Sequence, residues 1–364
     1  MRELEYINIE GFRSIKSQKL ELKRLNLVIG ANGVGKSNLV NAFRFLHDIY
    51  REQLQTLSAS GNPATYFFHG PKVTSQIHLR LRFIEREYQA ANEYDVGVAF
   101  GEGKLFVNSE IARFHDISKH AQPFNSPLVG AGTGEARLRN SPGRVAKYVS
   151  EDVSSYRVYH FHDTSRTAGV KQPSKIDDNR SLAADASNLA SMLLLFKQKF
   201  PDHFNLIENT IKQIAPFFDG FVVEPLRANP EMIKLEWRER GSDDYFDGHS
   251  LSDGTLRFMC LATLLLQPDA PRLILLDEPE LGLHPAAINV LAALLRQASV
   301  NSQILLATQS VTLINQFQPE DVVVAERENG ATVFNRLSSE NYTAWMEEYS
   351  LGEMWEKNLI GGRP

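Results

Sequence analysis

The stretch Gly30-Ala31-Asn32-Gly33-Val34-Gly35-Lys36-Ser37 decides the fold of this chain. An apolar run over 25–29 precedes it, and a pattern with helical spacing over 38–50 follows it. We therefore predict a strand, a tight loop and a helix in succession. The glycines let the loop curl so that successive backbone N–H groups point inward, and the helix adds the positive end of its dipole. A loop of this kind binds an anion.

The spacing G-x-x-x-x-G-K-S is that of the phosphate-binding loop of P-loop NTPases. In that setting Lys36 reaches the β- and γ-phosphates of a nucleotide, and the Ser37 hydroxyl ligates Mg²⁺. The expected cofactors are therefore ATP and Mg²⁺. The residues of this stretch that we expect to bind the nucleotide are Asn32, Gly33, Gly35, Lys36, Ser37 and Asn38.

The composition of the 364 residues, 43% apolar and 23% charged, is typical of a globular protein with a full core. A net charge of −5 argues against a surface coated with basic charge, although it allows a local basic groove. The single cysteine, Cys260, lies in an apolar helical stretch and is expected in the core. With no signal peptide and no run of 18 apolar residues, we expect a cytoplasmic protein without a membrane partner.

The alternation of strand and helix patterns predicts an α/β protein. Near-continuous apolar runs over 273–276 and 302–307 are typical of parallel strands that helices cover on both faces. A second, antiparallel sheet is predicted from alternating runs over 76–85, 94–100 and 104–107, with a hairpin at 101–103. Amphipathic patterns predict further helices over 185–200 and 204–214.

We predict three regions along the chain. Residues 1–110 form an N-terminal lobe with the phosphate loop and the antiparallel sheet, 111–217 form an insertion or lid with helices, and 218–364 form a C-terminal lobe. The segment 118–144 is rich in Pro, Gly, Ser and Asn and is expected to lack regular structure.

In and beside that segment the sequence has one acidic residue, Glu135, and four cationic residues, Arg137, Arg139, Arg144 and Lys147. Two interpretations stay open. The cations contact a nucleic acid or a protein partner, or they belong to a solvated, mobile loop.

The apolar run 273–276 ends in two acids, Asp277 and Glu278. In P-loop enzymes the acid that ends such a strand holds Mg²⁺ together with the hydroxyl of the loop, so Ser37 and Asp277 are the expected metal ligands. A carboxylate one residue further on can orient and deprotonate an attacking water, which makes Glu278 the expected catalytic base. The alternative is that both acids merely end a strand at the surface.

Several motifs together resemble those of the ABC-type ATPases, and more closely those of the SMC/RecF-like and OLD-like branch of predicted AAA-family ATPases. The matching stretches are YINIEGFRSI (6–15), GKSN (35–38), LSDGTLRF (251–258), LDEPE (276–280), GLHP (282–285) and ATQS (307–310). The resemblance implies a P-loop NTPase fold, namely an ABC-type ATPase head with a mixed parallel core sheet, an antiparallel β subdomain and a helical or loop insertion.

In the family that the chain resembles, two heads dimerise face to face and enclose ATP. The signature residues of one subunit, here Ser252, Asp253 and Gly254, cap the γ-phosphate that the other subunit binds. The resemblance therefore implies a homodimer with signature residues acting in trans. It also places Arg13 near the nucleotide, and the alternative is that Arg13 is an exposed surface residue.

One motif departs from the family pattern, because Gln309 stands where family members generally have a His. Its amide can donate a hydrogen bond to phosphate but cannot carry a proton. The resemblance implies a Mg²⁺-dependent ATPase, and this departure predicts that Gln309 senses the phosphate while hydrolysis is slow. The alternative is that Gln309 ends its strand without a role. The glutamine of the family's glutamine loop is left open between Gln53 and Gln76, which are candidates by position only.

Ser252 lies 215 residues after Ser37, and the strands and helices between them predict a globular lid rather than long coiled-coil arms. We expect no Toprim nuclease domain after 338, and we expect Trp345, Met346 and Trp355 to pack the tail onto the head. These features favour an ATP-driven dimeric switch that controls a separate effector, a nuclease or toxin encoded nearby, as in bacterial anti-phage systems. The alternative is a RecF-like DNA-binding ATPase clamp in DNA repair or maintenance.

Overall fold

A computed structural model describes residues 2–129 and 132–363. The helices within these residues are α1 (Lys36–Tyr50), α2 (Leu54–Ser60), α3 (Arg144–Ser154), α4 (Leu189–Lys199), α5 (Pro201–Ile214), α6 (Asp253–Leu266), α7 (Pro285–Ala298), α8 (Val311–Ile314), α9 (Thr343–Met346) and α10 (Leu351–Glu356). The strands are β1 (Glu3–Phe12), β2 (Ile15–Glu21), β3 (Leu25–Ile29), β4 (Gln76–Glu85), β5 (Ala90–Gly101), β6 (Lys104–Asp116), β7 (Phe124–Val129), β8 (Tyr156–Tyr159), β9 (Ser174–Lys175), β10 (Phe218–Val222), β11 (Met232–Ile233), β12 (Glu236–Glu239), β13 (Tyr245–Asp247), β14 (Leu273–Asp277), β15 (Gln303–Ala307), β16 (Val322–Glu328) and β17 (Ala331–Arg336).

The chain divides into two compact units. The first comprises Met1–Val158, Arg272–Leu275 and Gln318–Pro364, and the second comprises Tyr159–Pro271 and Leu276–Phe317. The predicted boundaries at 110 and 217 stay a prediction. Among the residues that the structure describes, no helix has the length and apolar character needed to cross a membrane.

The first unit contains a six-stranded antiparallel sheet with the order β2-β1-β4-β5-β6-β7. One face is apolar, since Ile7 lies opposite Leu81 and Leu81 opposite Tyr94, and all three are fully buried. The other face is charged, and there Arg82 forms a salt bridge with Glu93 at 2.6 Å. This alternation is the cause of the period-2 pattern over 76–85, so the predicted antiparallel sheet and its hairpin are confirmed.

A second, mixed sheet includes three strands of the same unit. Strand β16 runs parallel to β3, with Val323 opposite Val28, and antiparallel to β17. Every residue of β3 is buried, which explains its continuous apolar sequence. The predicted α/β class with a mixed sheet and a separate antiparallel sheet is therefore confirmed.

Helix α1 begins two residues before the predicted range 38–50, directly after the phosphate loop. Its buried face contains Leu39, Phe43, Leu46 and Ile49, as the helical spacing predicts. Gly35, the last glycine of the phosphate loop, is the N-cap of α1. The packing of this helix therefore also fixes the end of the loop.

The segment 118–144 is more regular than its composition predicts, and the expectation of a structureless loop is wrong for about a third of it. It contains β7 and a short 3₁₀ turn at Leu138–Asn140, although Gly130 and Ala131 lie outside the described residues. Carboxylates that accept backbone N–H groups, and not a periodic sequence, hold this segment in place. The Glu110 carboxylate accepts the N–H groups of Arg137 and Leu138, and Glu135 accepts those of Leu54 and Gln55.

The C-terminal tail of the described chain follows the prediction only in part. Trp355 is buried, but Trp345 and Met346 are 46% and 39% exposed, so the expectation was wrong for those two. A capping box between Ser350 and Glu353 fixes α10, the helix that buries Trp355.

The second unit contains α4 to α7 and two small sheets, β10-β12-β13 and β9-β11. Helix α6 is buried at every position from Leu256 to Leu266, including Cys260, as expected for a core cysteine. Helix α7 begins at Pro285, as predicted, whereas α4 begins at Leu189, four residues after the predicted start. Strand β14 ends at Asp277, so the apolar run over 273–276 ends in an acid at the end of a strand, as predicted.

Candidate nucleotide-binding site

The phosphate loop depends on two of its glycines for steric reasons. Gly30 has φ +152°, and a Cβ there would lie 2.6 Å from the carbonyl oxygen of Ala325. Gly35 has φ +115°, and a Cβ there would lie 2.3 Å from the Thr332 hydroxyl. Both contacts come from the β16–β17 hairpin, which therefore holds the loop at its two ends.

The donors of the loop are arranged for an anion. The Lys36 side chain is buried, and its ammonium donates to the carbonyl oxygens of Gly30 at 2.7 Å and Ala31 at 2.9 Å. Helix α1 has no acidic residue in its first turn, and its N-cap, Gly35, makes no side-chain cap. The N-terminus of the helix therefore directs the positive end of its dipole toward a phosphate in the loop.

A series of hydrogen bonds between polar side chains holds the phosphate loop in place. The Asn38 amide donates to the Ser14 hydroxyl at 2.7 Å, and Ser14 lies 2.7 Å from the hydroxyl of Thr332. Thr332 in turn donates to the carbonyl oxygen of Val34 at 2.6 Å. Sequence reasoning missed Thr332, because it stands 298 residues from Val34 and belongs to no motif.

Arg13 occupies a strained position beside these hydrogen bonds. Its φ is +50°, which is unusual for a residue other than glycine, and its backbone N–H donates to Tyr66. The guanidinium lies over the rings of Phe12 and Tyr66, 5.7 and 5.3 Å from their centroids. Arg13, Ser14 and Asn38 line one cavity, whereas Asn32 and Gly33 line another.

The predicted catalytic residues of the second unit are in contact. Glu278 has φ +43°, and its backbone N–H donates to Ala307 at 2.8 Å. The Gln309 amide donates to the Glu278 carboxylate at 2.5 Å. Strained backbone is common at functional sites, where the surrounding structure holds it in place. Ser37 belongs to the first unit and Asp277 to the second, so a metal site made by these two residues stays a prediction.

A buried carboxylate, Glu280, positions Gln309 and was not among the predicted site residues. It accepts the Thr308 hydroxyl at 2.5 Å and the backbone N–H of Gln309 at 3.2 Å. Its second oxygen has no hydrogen-bond partner among the described residues, and burial raises the pKa of this carboxyl above its ordinary value. The sequence signal was present, since Glu280 and Thr308 belong to the matching stretches LDEPE and ATQS.

The signature stretch opens a helix, as predicted. Ser252 is the N-cap of α6, and its hydroxyl accepts the N–H of Thr255 at 3.2 Å. A Cβ on Gly254 would lie 2.4 Å from the carbonyl oxygen of Gly282, so only glycine fits there. Further along α6, the buried guanidinium of Arg257 donates to the carbonyl oxygens of Phe161, His162 and Leu281.

Two helix N-termini open on a cavity of about 180 Å³ in the second unit. Ser252 caps α6, and His284 caps α7 by accepting the N–H of Ala286 on its ring nitrogen. Both helices have 14 residues, and both caps line the cavity together with Gly254. The positive ends of two helix dipoles meet there, which favours a negatively charged group.

The chain resembles known proteins in sequence and in fold. A family model described as "AAA domain, putative AbiEii toxin, Type IV TA system" matches residues 25–315. Among solved structures, an Smc head bound to the C-winged helix domain of ScpA is similar with a TM-score of 0.64 and 16% identity, over 94% of this chain and 99% of that one. An Smc head domain with an extended coiled coil, bound to the C-terminal domain of ScpA derived from Pyrococcus furiosus, has a TM-score of 0.61 and 15% identity, over 96% and 99% of the two chains. No curated protein matches this chain. The fold is thus that of a P-loop ATPase head of the SMC type, as predicted.

Proposed function

This chain belongs to the family of AAA domains described as putative AbiEii toxin of type IV toxin–antitoxin systems, and we propose that it is an ATP-driven dimeric switch that controls a separate effector. ATP binding joins two heads, and hydrolysis releases them. The effector is a nuclease or toxin encoded nearby, and the setting is bacterial anti-phage defence.

The observation that carries the proposal is the contact between Gln309 and Glu278. A carboxylate that accepts a hydrogen bond from an amide is held in one orientation, and Glu278 can then take a proton from an attacking water. Since Gln309 cannot carry that proton onward, hydrolysis is slow.

The nucleotide is held by the phosphate loop. Its backbone N–H groups and Lys36 bind the β- and γ-phosphates, and Arg13 lies beside the nucleotide. Asn32, Gly33, Gly35, Ser37 and Asn38 complete the set. Ser37 and Asp277 are the residues that would hold Mg²⁺, which would neutralise the charge that develops on the phosphates.

The dimer follows from the cavity with two helix N-termini. Ser252 and Gly254 line it, and Asp253 stands between them in the chain. These three signature residues meet the γ-phosphate of the nucleotide that the partner subunit binds. A two-fold arrangement makes the contact twice, since each subunit offers the same surface to the other. Joining the heads then depends on the charge of the γ-phosphate, which hydrolysis removes.

The test is the size of the protein with and without ATP. In Glu278→Gln, we expect ATP turnover to fall by about a hundredfold or more, and the protein to run as a dimer only when MgATP is present. Glu151→Gln, an exposed carboxylate changed in the same way, should behave as wild type. Unchanged turnover in Glu278→Gln would reject Glu278 as the base, and a monomer under all conditions would reject the switch.

The DNA clamp is a second candidate, favoured by one observation. Arg137, Arg139, Arg144 and Lys147 are all exposed, and none forms a salt bridge with a described residue. Such cations can neutralise phosphates of a duplex, with affinity that falls steeply with salt. Reversing the charge of the three arginines should abolish DNA binding if the chain is a clamp, and effector binding if it is a switch.

A further inference from the structure

Beside the phosphate loop lies a cavity of about 420 Å³ that concentrates positive charge in a protein whose net charge is −5. Arg13, His69 and Arg327 line it, and the described residues around it include no Asp or Glu. None of the sequence motifs contains His69 or Arg327.

The three basic side chains are available for a ligand. Within 2–129 and 132–363, neither the Arg327 guanidinium nor the His69 ring forms a hydrogen bond or salt bridge, and the His69 ring packs against the ring of Phe68. The buried Nε of Arg13 has no hydrogen-bond partner either. A buried donor without a partner is costly, and an acceptor on a ligand would remove that cost.

The backbone holds these groups in place before any ligand arrives. Arg13 and His69 both have positive φ values, +50° and +53°. Two hydrogen bonds clamp their segments together, from Arg13 N–H to Tyr66 at 2.8 Å and from Phe68 N–H to Gly11 at 2.9 Å. Strain kept in this way preorganises a binding site.

The cavity is continuous with the phosphate loop. Asn38, the residue after Ser37, lines it and donates to Ser14, which also lines it. The Ser14 hydroxyl lies 2.7 Å from where a Cβ of Gly35 would be, so it touches the loop itself. A ligand in the cavity is therefore adjacent to any phosphate that the loop binds.

We propose that this cavity binds the nucleoside 5′-phosphate end of ATP, and that His69 and Arg327 are nucleotide-binding residues. Arg327 and His69 contact the α-phosphate and the ribose. The base stacks on the face of the Arg13 guanidinium opposite the Phe12 and Tyr66 rings, an arrangement that planar guanidinium groups favour. The inference rests on the proposed function, because it requires that the loop bind ATP.

The test compares two ligands in the whole chain, MgATP and magnesium pyrophosphate. Pyrophosphate supplies the two phosphates that the loop and Lys36 bind, but it carries neither an α-phosphate nor a nucleoside. Calorimetric titration of Arg327→Ala and of His69→Ala should show ATP affinity reduced about tenfold, with pyrophosphate affinity unchanged within about twofold. Lys72→Ala, an exposed cation near His69 that does not line the cavity, should bind both ligands as wild type does.

The outcomes separate this inference from the proposed function. If Arg327→Ala and His69→Ala bind ATP as wild type does, or lose both ligands equally, the cavity is not the nucleoside site. Lys36→Ala should lose both ligands, because it acts on the phosphates. If wild type binds neither ligand, the proposed ATPase itself is wrong, and this inference falls with it.

Discussion

The Gln309 amide donates a hydrogen bond of 2.5 Å to the Glu278 carboxylate. Strand β15 ends at Ala307, two residues before Gln309, and β14 ends at Asp277, the residue before Glu278. The two residues meet because the Glu278 N–H donates to Ala307, the last residue of β15. This contact turns two separate motif residues into one polar pair, and it can be tested by changing either residue.

Changing Gln309 should affect hydrolysis more than binding. In Gln309→Ala the Glu278 carboxylate loses its donor, so we expect kcat for ATP to fall about tenfold with little change in ATP affinity. In Gln309→His a group that can carry a proton is restored, and kcat should rise above wild type. Steady-state phosphate release measures both. A fall in both variants with weakened ATP binding would show that Gln309 holds the nucleotide and not the base.

The two ends of the phosphate loop should differ from its middle in their tolerance of a methyl group. Gly35→Ala places a Cβ 2.3 Å from the Thr332 hydroxyl at φ +115°, and we expect the free energy of unfolding to fall by about 3 kcal/mol. Gly33 also has a positive φ, +73°, but a Cβ there meets nothing within 4 Å. Gly33→Ala should therefore cost only about 1 kcal/mol. Urea unfolding of both proteins decides the matter, and equal losses would contradict the role of Thr332 in holding the loop.

The stability of the protein should depend on pH through Glu280. Burial raises the pKa of this carboxyl above its ordinary 4.5, so the folded state prefers its neutral form. The stabilisation is complete below pH 4.5 and is lost as the pH rises through the raised pKa, with about 1.4 kcal/mol for each unit of the shift.

Glu280→Gln keeps the neutral form at every pH and can still accept from Thr308 and from Gln309 N–H. Its free energy of unfolding, relative to wild type, should therefore rise with pH above 4.5 and then level off. Glu347→Gln, at an exposed position, provides the control and should show no such trend. A constant difference between Glu280→Gln and wild type across the series would mean that Glu280 ionises normally.

Cys260 should report global unfolding. Burial raises the pKa of its thiol to about 12, so only about one molecule in ten thousand is thiolate at pH 8. A thiol reagent should react slowly with the native protein and rapidly in denaturant, in parallel with the loss of helical circular dichroism. Fast labelling of the native protein would show that α6 opens locally.

The elements of this fold could be predicted where the signal is local. The helices α1, α6 and α7 have a period or a cap in consecutive residues, and hydrogen bonds between near neighbours then form the helix. Strand β4 has a local period of two, although its hydrogen bonds go to β1 and β5. The segment 118–144 could not be predicted in this way. Its order comes from Glu110 and Glu135, whose carboxylates accept backbone N–H groups from residues distant in sequence or outside any period.

The sequence by itself determined that this chain has a phosphate loop, an acidic strand end and a signature helix, because each is a short run whose chemistry depends on adjacent residues. Only the tertiary structure decided which other residues lie beside these motifs. Thr332 reaches the loop across 298 residues, and His69 and Arg327 share a cavity with Arg13. The physical reason is strand pairing. Strand β16 runs parallel to β3, so residues from the far end of the chain lie beside a loop near its start.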